Sequence, residues 1–171
     1  MPPSRPAPGG TVDDAAAILT GHRIAVLTGA GISPDSGIPD SRGPGSPPRN
    51  PRTYQKFVGD ERFRRHSWAR NHVGWRHMRR SEPNAGHRAI AALERAGIVT
   101  GVITQNVDML HQQAGTRRVI DLHGRYDRVI CLQCRAVVAR AELDRRLEAL
   151  NPDFASHIES VADIEIAPDA D

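Results

Sequence analysis

Apolar and polar positions change period several times along the chain, and each change marks an element. Thr11 to Thr20 reads as a short helix. Thr11 suits its cap, and Asp13 and Asp14 suit the positive end of its dipole. Arg23-Ile-Ala-Val-Leu-Thr28 is a compact apolar run ending at Gly29, as in a buried strand of a parallel sheet. From Gly29 to Arg52 the chain is dense in glycine and proline. It is expected to be a long loop without regular structure, and long ordered loops are usually functional. Arg62 to Arg80 interleaves arginines with Phe63, Trp68, Trp75 and Met78 at loose helical spacing, and reads as one or two short helices. Asn84 caps a helix running to about Ala96, with Gly97 as its stop. Ile98 to Thr104, rich in β-branched residues, is a second strand. Asp108 to Ala114 is a short helix ended by Gly115, Val119 to Leu122 is a third strand, and Ala141 to Leu150 is a last helix. Asn151 to Asp171 is acidic and loosely patterned.

Strand, helix, strand, helix, strand in this order predicts an α/β fold with a parallel sheet. Three strands make a thin sheet, and no strands are visible for the other half of a doubly wound domain.

Composition narrows the class. The chain has 171 residues, 39% apolar and 25% charged, which fits one soluble globular domain. No run approaches the ~18 apolar residues of a membrane span. Met1 to Gly10, rich in proline and glycine and without an apolar h-region, is read as a disordered leader and not a secretory signal. The net charge of +3 comes almost wholly from arginine, since Lys56 is the sole lysine. That balance suits nucleic acid, an anionic cofactor or an acidic partner without choosing among them. The two cysteines, Cys131 and Cys134, form one C-x-x-C. With no signal peptide expected, metal or redox chemistry leads over a structural disulfide, and a cytoplasmic location is expected.

Four segments carry candidate chemistry. Thr28 to Gly43 reads Thr-Gly-Ala-Gly-Ile-Ser-Pro-Asp-Ser-Gly-Ile-Pro-Asp-Ser-Arg-Gly. Glycines at the end of a strand let backbone N–H groups approach a pyrophosphate. Pro34 takes the place of the third glycine of G-x-G-x-x-G, so the short pattern fits a tight turn into a loop equally well. Thr104-Gln-Asn-Val-Asp-Met-Leu-His111 ends the second strand, where open α/β sheets bind ligands. Asn106 and Asp108 offer an amide and a carboxylate there, although either would also serve as a plain helix cap. Asp121-Leu-His-Gly124 ends the third strand. His123 has the pKa range of a general base, but a lone histidine is more often structural. Cys131-Leu-Gln-Cys134 supplies two of the four ligands of a structural zinc. No cysteine follows it, and only His157 adds an imidazole, so the site is half a site.

Together and in this order, these segments resemble the sirtuin family, the NAD-dependent protein-lysine deacylases. Gly29 to Arg42 is similar to its G-A-G-x-S-x-x-S-G-I-P-D-F-R, Thr104 to Gly115 to its T-Q-N-[IV]-D-x-L-H-x-x-A-G, and the L-H-G and C-x-x-C follow. The resemblance spans about residues 11 to 150. Trp68 to Trp75, and the cysteine-free stretch after Cys134, look like the class II branch.

The resemblance implies a partial Rossmann-like, sirtuin-type parallel sheet with a small helical lobe and half of a zinc-ribbon module. The implied division is a leader over 1–10, an NAD-binding core over 11–124 with the lobe at about 53–83, and an incomplete zinc module over 125–171. Ala30, Gly31 and Ile32 would wrap the NAD phosphates with backbone N–H groups, with Gly29 and Ser33 in the same set. Asp40 and Arg42 would line the pocket, Arg42 near the phosphates. Gln105 and Asn106 would meet the nicotinamide ribose, Val107 would belong to the same turn, and Asp108 would hold the carboxamide. His123 would be the general base, with Asn106 beside it in catalysis. Cys131 and Cys134 would bind zinc. The implied reaction moves an acyl group from lysine to ADP-ribose and releases nicotinamide.

Two departures stand out. Ser41 occupies the place of an aromatic residue that shields the ribose face in the family. The second cysteine pair, the G-T-S-type strand and the last sheet strands are missing. The chain is therefore expected to be the N-terminal two-thirds of such an enzyme, with impaired activity in this form. An acyl-lysine protein is the expected substrate, a C-terminal half the expected complement, and neither membrane nor nucleic acid a partner. The alternatives are a degenerate, non-catalytic sirtuin fragment, and a basic nucleic-acid module through residues 62–80. A solvated cationic helix face accounts for that stretch more simply.

Overall fold

Three strands pair in parallel in the order β1 (Ile24–Thr28), β2 (Val99–Thr104), β3 (Val119–Asp121) in the computed structural model, which describes residues 10–40 and 53–154. Residues 1–9 of the expected leader over 1–10, Ser41, Arg42, His157 and the acidic stretch from residue 155 onward lie outside the described residues.

Local chemistry sets the helices as the sequence predicts. Helix α1 (Val12–Leu19) opens on a capping box: Thr11 Oγ1 accepts from Asp14 N at 3.1 Å, and Asp14 Oδ2 accepts from Thr11 N at 2.8 Å. The backbone N–H and the hydroxyl of Thr11, both donating to Asp14 Oδ2 at 2.8 Å, hold the Asp14 carboxyl below its usual pKa. Helix α4 (Ala85–Arg95) starts at Asn84, and Gly97 follows it at φ 76°, a left-handed stop that glycine adopts without strain.

The arginine-rich stretch is one helix, not one or two short ones. After a six-residue α2 (Tyr54–Gly59), helix α3 (Glu61–Arg80) runs unbroken for 20 residues, capped by Asp60 onto Phe63 N. Its buried stripe is Ser67, His72, Trp75 and Met78. That stripe, rather than propensity, carries the helix through Gly74. The aromatic groups are engaged within the fold. Trp75 stands 6.0 Å from Tyr126, and Trp68 6.3 Å from Phe57.

The long loop also departs from expectation. Its first part holds two single turns of 3-10 helix, Ala30–Ile32 and Pro34–Ser36. Ile38 then packs in the core with Met78 of α3 and Leu110 of α5 (Leu110–Gln113). His77 Nε2 meets the Gly37 carbonyl at 2.8 Å, which pins the loop to α3.

Strand β1 is not buried on both faces. Leu27 is 67% exposed and Ile120 of β3 is 59% exposed. Helix α4 packs on one face of β2, and among the described residues no element covers the side that carries Leu27 and Ile120. Gly101 in β2 lies against the neighbouring backbone: a Cβ there would stand 3.2 Å from the Arg118 carbonyl oxygen.

The pattern did not reveal a small antiparallel hairpin, β4 (Arg128–Ile130) and β5 (Val137–Ala139), with the C-x-x-C at its tip. It leads into α6 (Arg140–Leu150), which docks on α3 through a polar seam. Arg140 is 2% exposed. Its guanidinium lies 5.6 Å from the Trp68 ring and 5.5 Å from Trp75, and donates to the Asn71 carbonyl at 2.9 Å. Asp144 sits 3.8 Å from it and 2.6 Å from His72 Nδ1. Burial of an arginine is tolerated where a carboxylate, a carbonyl and ring faces replace its water. Burial pushes the Arg140 pKa down, while Tyr126 and Asp144 act against that shift. No helix among the described residues is long and apolar enough to cross a membrane.

Candidate cofactor site

The register brings the strand ends together. Thr28 pairs with Thr104, and Thr104 with Asp121, so the loops after β1, β2 and β3 leave the sheet along one edge. Such an edge is where open parallel sheets receive ligands.

Side chains bridge the first two loops. Asn106 Nδ2 donates to the Gly29 carbonyl at 3.0 Å and to Ser33 Oγ at 3.1 Å. Both its amide protons are thereby used, which leaves Oδ1 as an acceptor. Ser33 Oγ in turn donates to Asp108 Oδ2 at 2.8 Å, and Asp108 Oδ1 accepts from Leu110 N at 3.0 Å. Ser33 and Asp108 are both buried. Asp108 thus holds the first amide of α5 from one position before the cap, which is Met109 and not Asp108 as the plain capping reading has it, and faces the first loop as well. Met109 follows at φ 67°, a left-handed conformation unusual for a side chain of its size and found where a turn is strongly constrained.

The first loop folds so that Ile32 N and Ser33 N donate back to Gly29 and Ala30. The amides of Ala30 and Gly31 open that turn and have no carbonyl within it to receive them. Asp40 is half-buried at the end of the described part of the loop, and Gln105 is exposed while its backbone N–H donates to the Thr28 carbonyl. Val107 packs against the Ile38–Met78–Leu110 cluster. His123 is exposed in the turn after β3, makes no hydrogen bond among the described residues, and precedes Gly124 at φ 82°. Cys131 and Cys134 are exposed and unpaired. Backbone N–H groups of Cys134 and Gln133 directed at the Cys131 sulfur lower its thiol pKa. Among the described residues, no three or more His, Cys, Asp or Glu side chains form a group that could hold a metal.

Sequence reasoning missed the groups that hold this edge from beneath. Asn84 is more than a cap: its Nδ2 donates to the Ile32 carbonyl at 2.7 Å, while Oδ1 accepts from Gly86 N. His111 Nε2 meets Thr28 Oγ1 at 2.9 Å, at the other end of the same loop. His87 and His111 stack edge to face at 4.8 Å, both buried. Asn84 and His87 fall in a segment with no motif of its own, so only the fold reveals their reach.

That pair makes stability depend on pH. Burial lowers both imidazole pKa values, with Asp108 opposing in each case, Asp121 opposing at His111, and Arg88 reinforcing at His87. The unfolded chain protonates them near the ordinary 6.5, whereas the folded chain resists to lower pH. The unfolded state therefore binds more protons below about pH 6.5, and stability falls as pH drops through that window. Above it the contribution is constant. Each imidazole contributes at most about 1.4 kcal/mol per pH unit. Urea unfolding at pH 7.5, 6.0 and 5.5 is expected to show the decline, and His111→Gln to make it shallower.

A model of the Sir2 family matches residues 29–166. NAD-dependent protein deacetylase 1 of Mycobacterium avium is 66% identical over 155 residues, which cover 91% of this chain and 55% of the relative. NAD-dependent protein deacetylase 1 of Streptomyces coelicolor is 52% identical over 90% of this chain and 52% of its own length. The chain thus spans about half the length of the curated relatives it matches. Among solved structures, a Sir2 with a p53 peptide and NAD+ superposes with a TM-score of 0.68 at 37% identity, over 82% of this chain and 57% of that one.

Proposed function

We propose a function from one premise: the chain belongs to the Sir2 family. It supplies the cofactor-handling part of an NAD-dependent protein-lysine deacylase. The observation that carries this reading is the Ser33–Asn106–Asp108 network, which joins the loops after β1 and β2 at the ligand edge of the sheet.

The residues fit the cofactor. A carboxamide needs an acceptor for its N–H groups and a donor for its oxygen. Asp108 is a fixed acceptor with both oxygens held in place, and Asn106 Oδ1 is free to accept from a ribose hydroxyl. The amides of Ala30 and Gly31 suit a phosphate. NAD, when bound, would supply the ribose carbon that the acyl-lysine carbonyl oxygen attacks as nicotinamide leaves, and the ribose hydroxyl that ends up carrying the acyl group. His123, exposed beside this edge, takes a proton from a ribose hydroxyl as general base. Asp40, Gln105 and Val107 are assigned to the wall of the cofactor site, and Arg42 belongs to the same assignment.

The substrate assigned is an acyl-lysine protein, in line with the acetylated and p53 peptides bound to related structures. The Leu27–Ile120 face is assigned as the seat of a complementing C-terminal half, since apolar sheet faces of this kind are covered in parallel folds. Cys131 and Cys134 are assigned as two zinc ligands; the N–H groups around Cys131 favour the thiolate that zinc requires.

Calorimetry on residues 1–171 with NAD, ADP-ribose and nicotinamide tests the reading. NAD is expected to bind. Asp108→Asn is expected to weaken NAD and nicotinamide by about 10- to 100-fold, the range for a hydrogen bond to a charged group, while ADP-ribose binding holds. Equal losses for NAD and ADP-ribose would remove Asp108 from the carboxamide role.

A further inference from the structure

Tyr126 lies outside every motif and yet touches both the candidate cofactor turn and the seam between α3 and α6. Its backbone N–H donates to the Val107 carbonyl at 3.0 Å. Its hydroxyl donates to Asn71 Oδ1 on α3 at 2.5 Å. Its ring packs against the Ile38–Met78–Leu110 cluster and stands 6.0 Å from Trp75. The backbone of Asn71 is itself held, since its carbonyl accepts from the buried Arg140. Arg140 N returns to the Asp127 carbonyl, next to Tyr126 in the chain. The loop is closed: Val107, Tyr126, Asn71, Arg140, Asp127.

Val107 sits between Asn106 and Asp108, so its carbonyl fixes the peptide plane from which Asp108 projects. A pinned plane has few ways to tilt, and the Asp108 carboxylate inherits that precision. Neither Asn106 nor Asp108 needs to contact Tyr126 for this to hold. We propose that Tyr126 is a positioning residue for the Asn106–Asp108 turn, so that the docking of the cysteine hairpin on α3 sets affinity for the nicotinamide end of NAD. The proposal rests on the NAD reading above.

The test uses residues 1–171 with Tyr126→Phe, which keeps ring and backbone and removes only the hydroxyl anchor. A neutral hydrogen bond contributes about 0.5–1.5 kcal/mol, so NAD and nicotinamide affinity is expected to fall about 3- to 10-fold, with ADP-ribose unchanged. Asn71→Ala is expected to reproduce the loss and Asn71→Asp, which keeps the acceptor, to restore most of it. The double variant Tyr126→Phe/Asn71→Ala is expected to lose no more than either single change. Hydrogen exchange gives a readout independent of the cofactor. The Tyr126→Phe variant is expected to exchange faster at residues 104–112 while α1 and β1 keep wild-type rates. Unchanged affinity with unchanged exchange at 104–112 would overturn the proposal. So would an equal loss of NAD and ADP-ribose with faster exchange everywhere, which marks a general structural role. Wild-type protein that binds no NAD would overturn the cofactor reading instead, and exchange at 104–112 would then decide the positioning of the turn by itself.

Discussion

Alanine at His123 is expected to lower acyl-lysine turnover by about 10²–10⁴-fold, the usual range for loss of a general base, while NAD remains bound. The residue is well placed for such a clean result. It is exposed, it makes no hydrogen bond among the described residues, and it sits in a turn shaped by Gly124. Its removal therefore leaves no buried group without a partner, and the loss should be chemical and not structural. The register brings it close to the other functional loops, because β3 ends at Asp121 in line with Thr104 and Thr28. A suitable background joins residues 1–171 to the C-terminal half of the Mycobacterium avium relative, which is 66% identical over the shared part. Deacylation and nicotinamide release are measured beside NAD affinity. Turnover that survives the change intact would take His123 out of the mechanism.

Arg140→Ala should cost stability on the scale of 3–5 kcal/mol, the range for breaking a buried pair by deleting one partner. Three losses combine. Asp144, 5% exposed, loses the guanidinium and keeps the His72 imidazole at 2.6 Å. The Asn71 carbonyl loses its donor. The space between Trp68 and Trp75 is emptied of a guanidinium that lies over both rings. A domain of this size holds about 5–15 kcal/mol in total, so the variant would stand near the threshold of folding. Arg140→Met is expected to be milder, because it refills the volume between the rings. Urea midpoints of the two variants against wild type measure the contrast. A loss under about 1 kcal/mol for Arg140→Ala would show that water replaces the guanidinium freely.

The parts of this molecule that local chemistry governs are visible in its sequence. Thr11 with Asp14, Asn84 ahead of α4, and Gly97 behind it are caps whose mechanism needs only a few neighbouring residues, and each stands where the pattern puts it. The β-branched run of β2 is visible for the same reason. What escapes depends on distant partners. Whether Arg62 to Arg80 is one helix or two is decided by the burial of His72, Trp75 and Met78 against elements far along the chain. The hairpin around Cys131 has strands of three residues, too short for alternation to register. The two faces of β1 read alike in sequence because apolar residues occupy both, yet Leu27 faces outward.

The candidate site divides in the same way. Asn106 and Asp108 announce themselves through a strand end and a short motif, and the structure brings them to Ser33 and Gly29. Asn84, His87 and Tyr126 do not, since their reach to Ile32, His111 and Val107 exists only after folding. A polar side chain with a satisfied local role can carry a second, distant one that no window of sequence contains.

The close approach at Gly101 has a bearing on evolution. β2 carries the Asn106–Asp108 turn and β3 carries His123, so the interval between these strands sets how far apart the two groups work. At Gly101 that interval is at its limit, because even a methyl group would press on the Arg118 carbonyl at 3.2 Å. A larger residue would need the Arg118 backbone to give by a few tenths of an ångström, and so presses on the spacing of the strands that lead to His123 and to the Asn106–Asp108 turn from a place that touches neither. Under the roles proposed for His123 and Asp108, drift at this position is curbed by the distance at which the two work, although a catalogue of ligand contacts would pass over it.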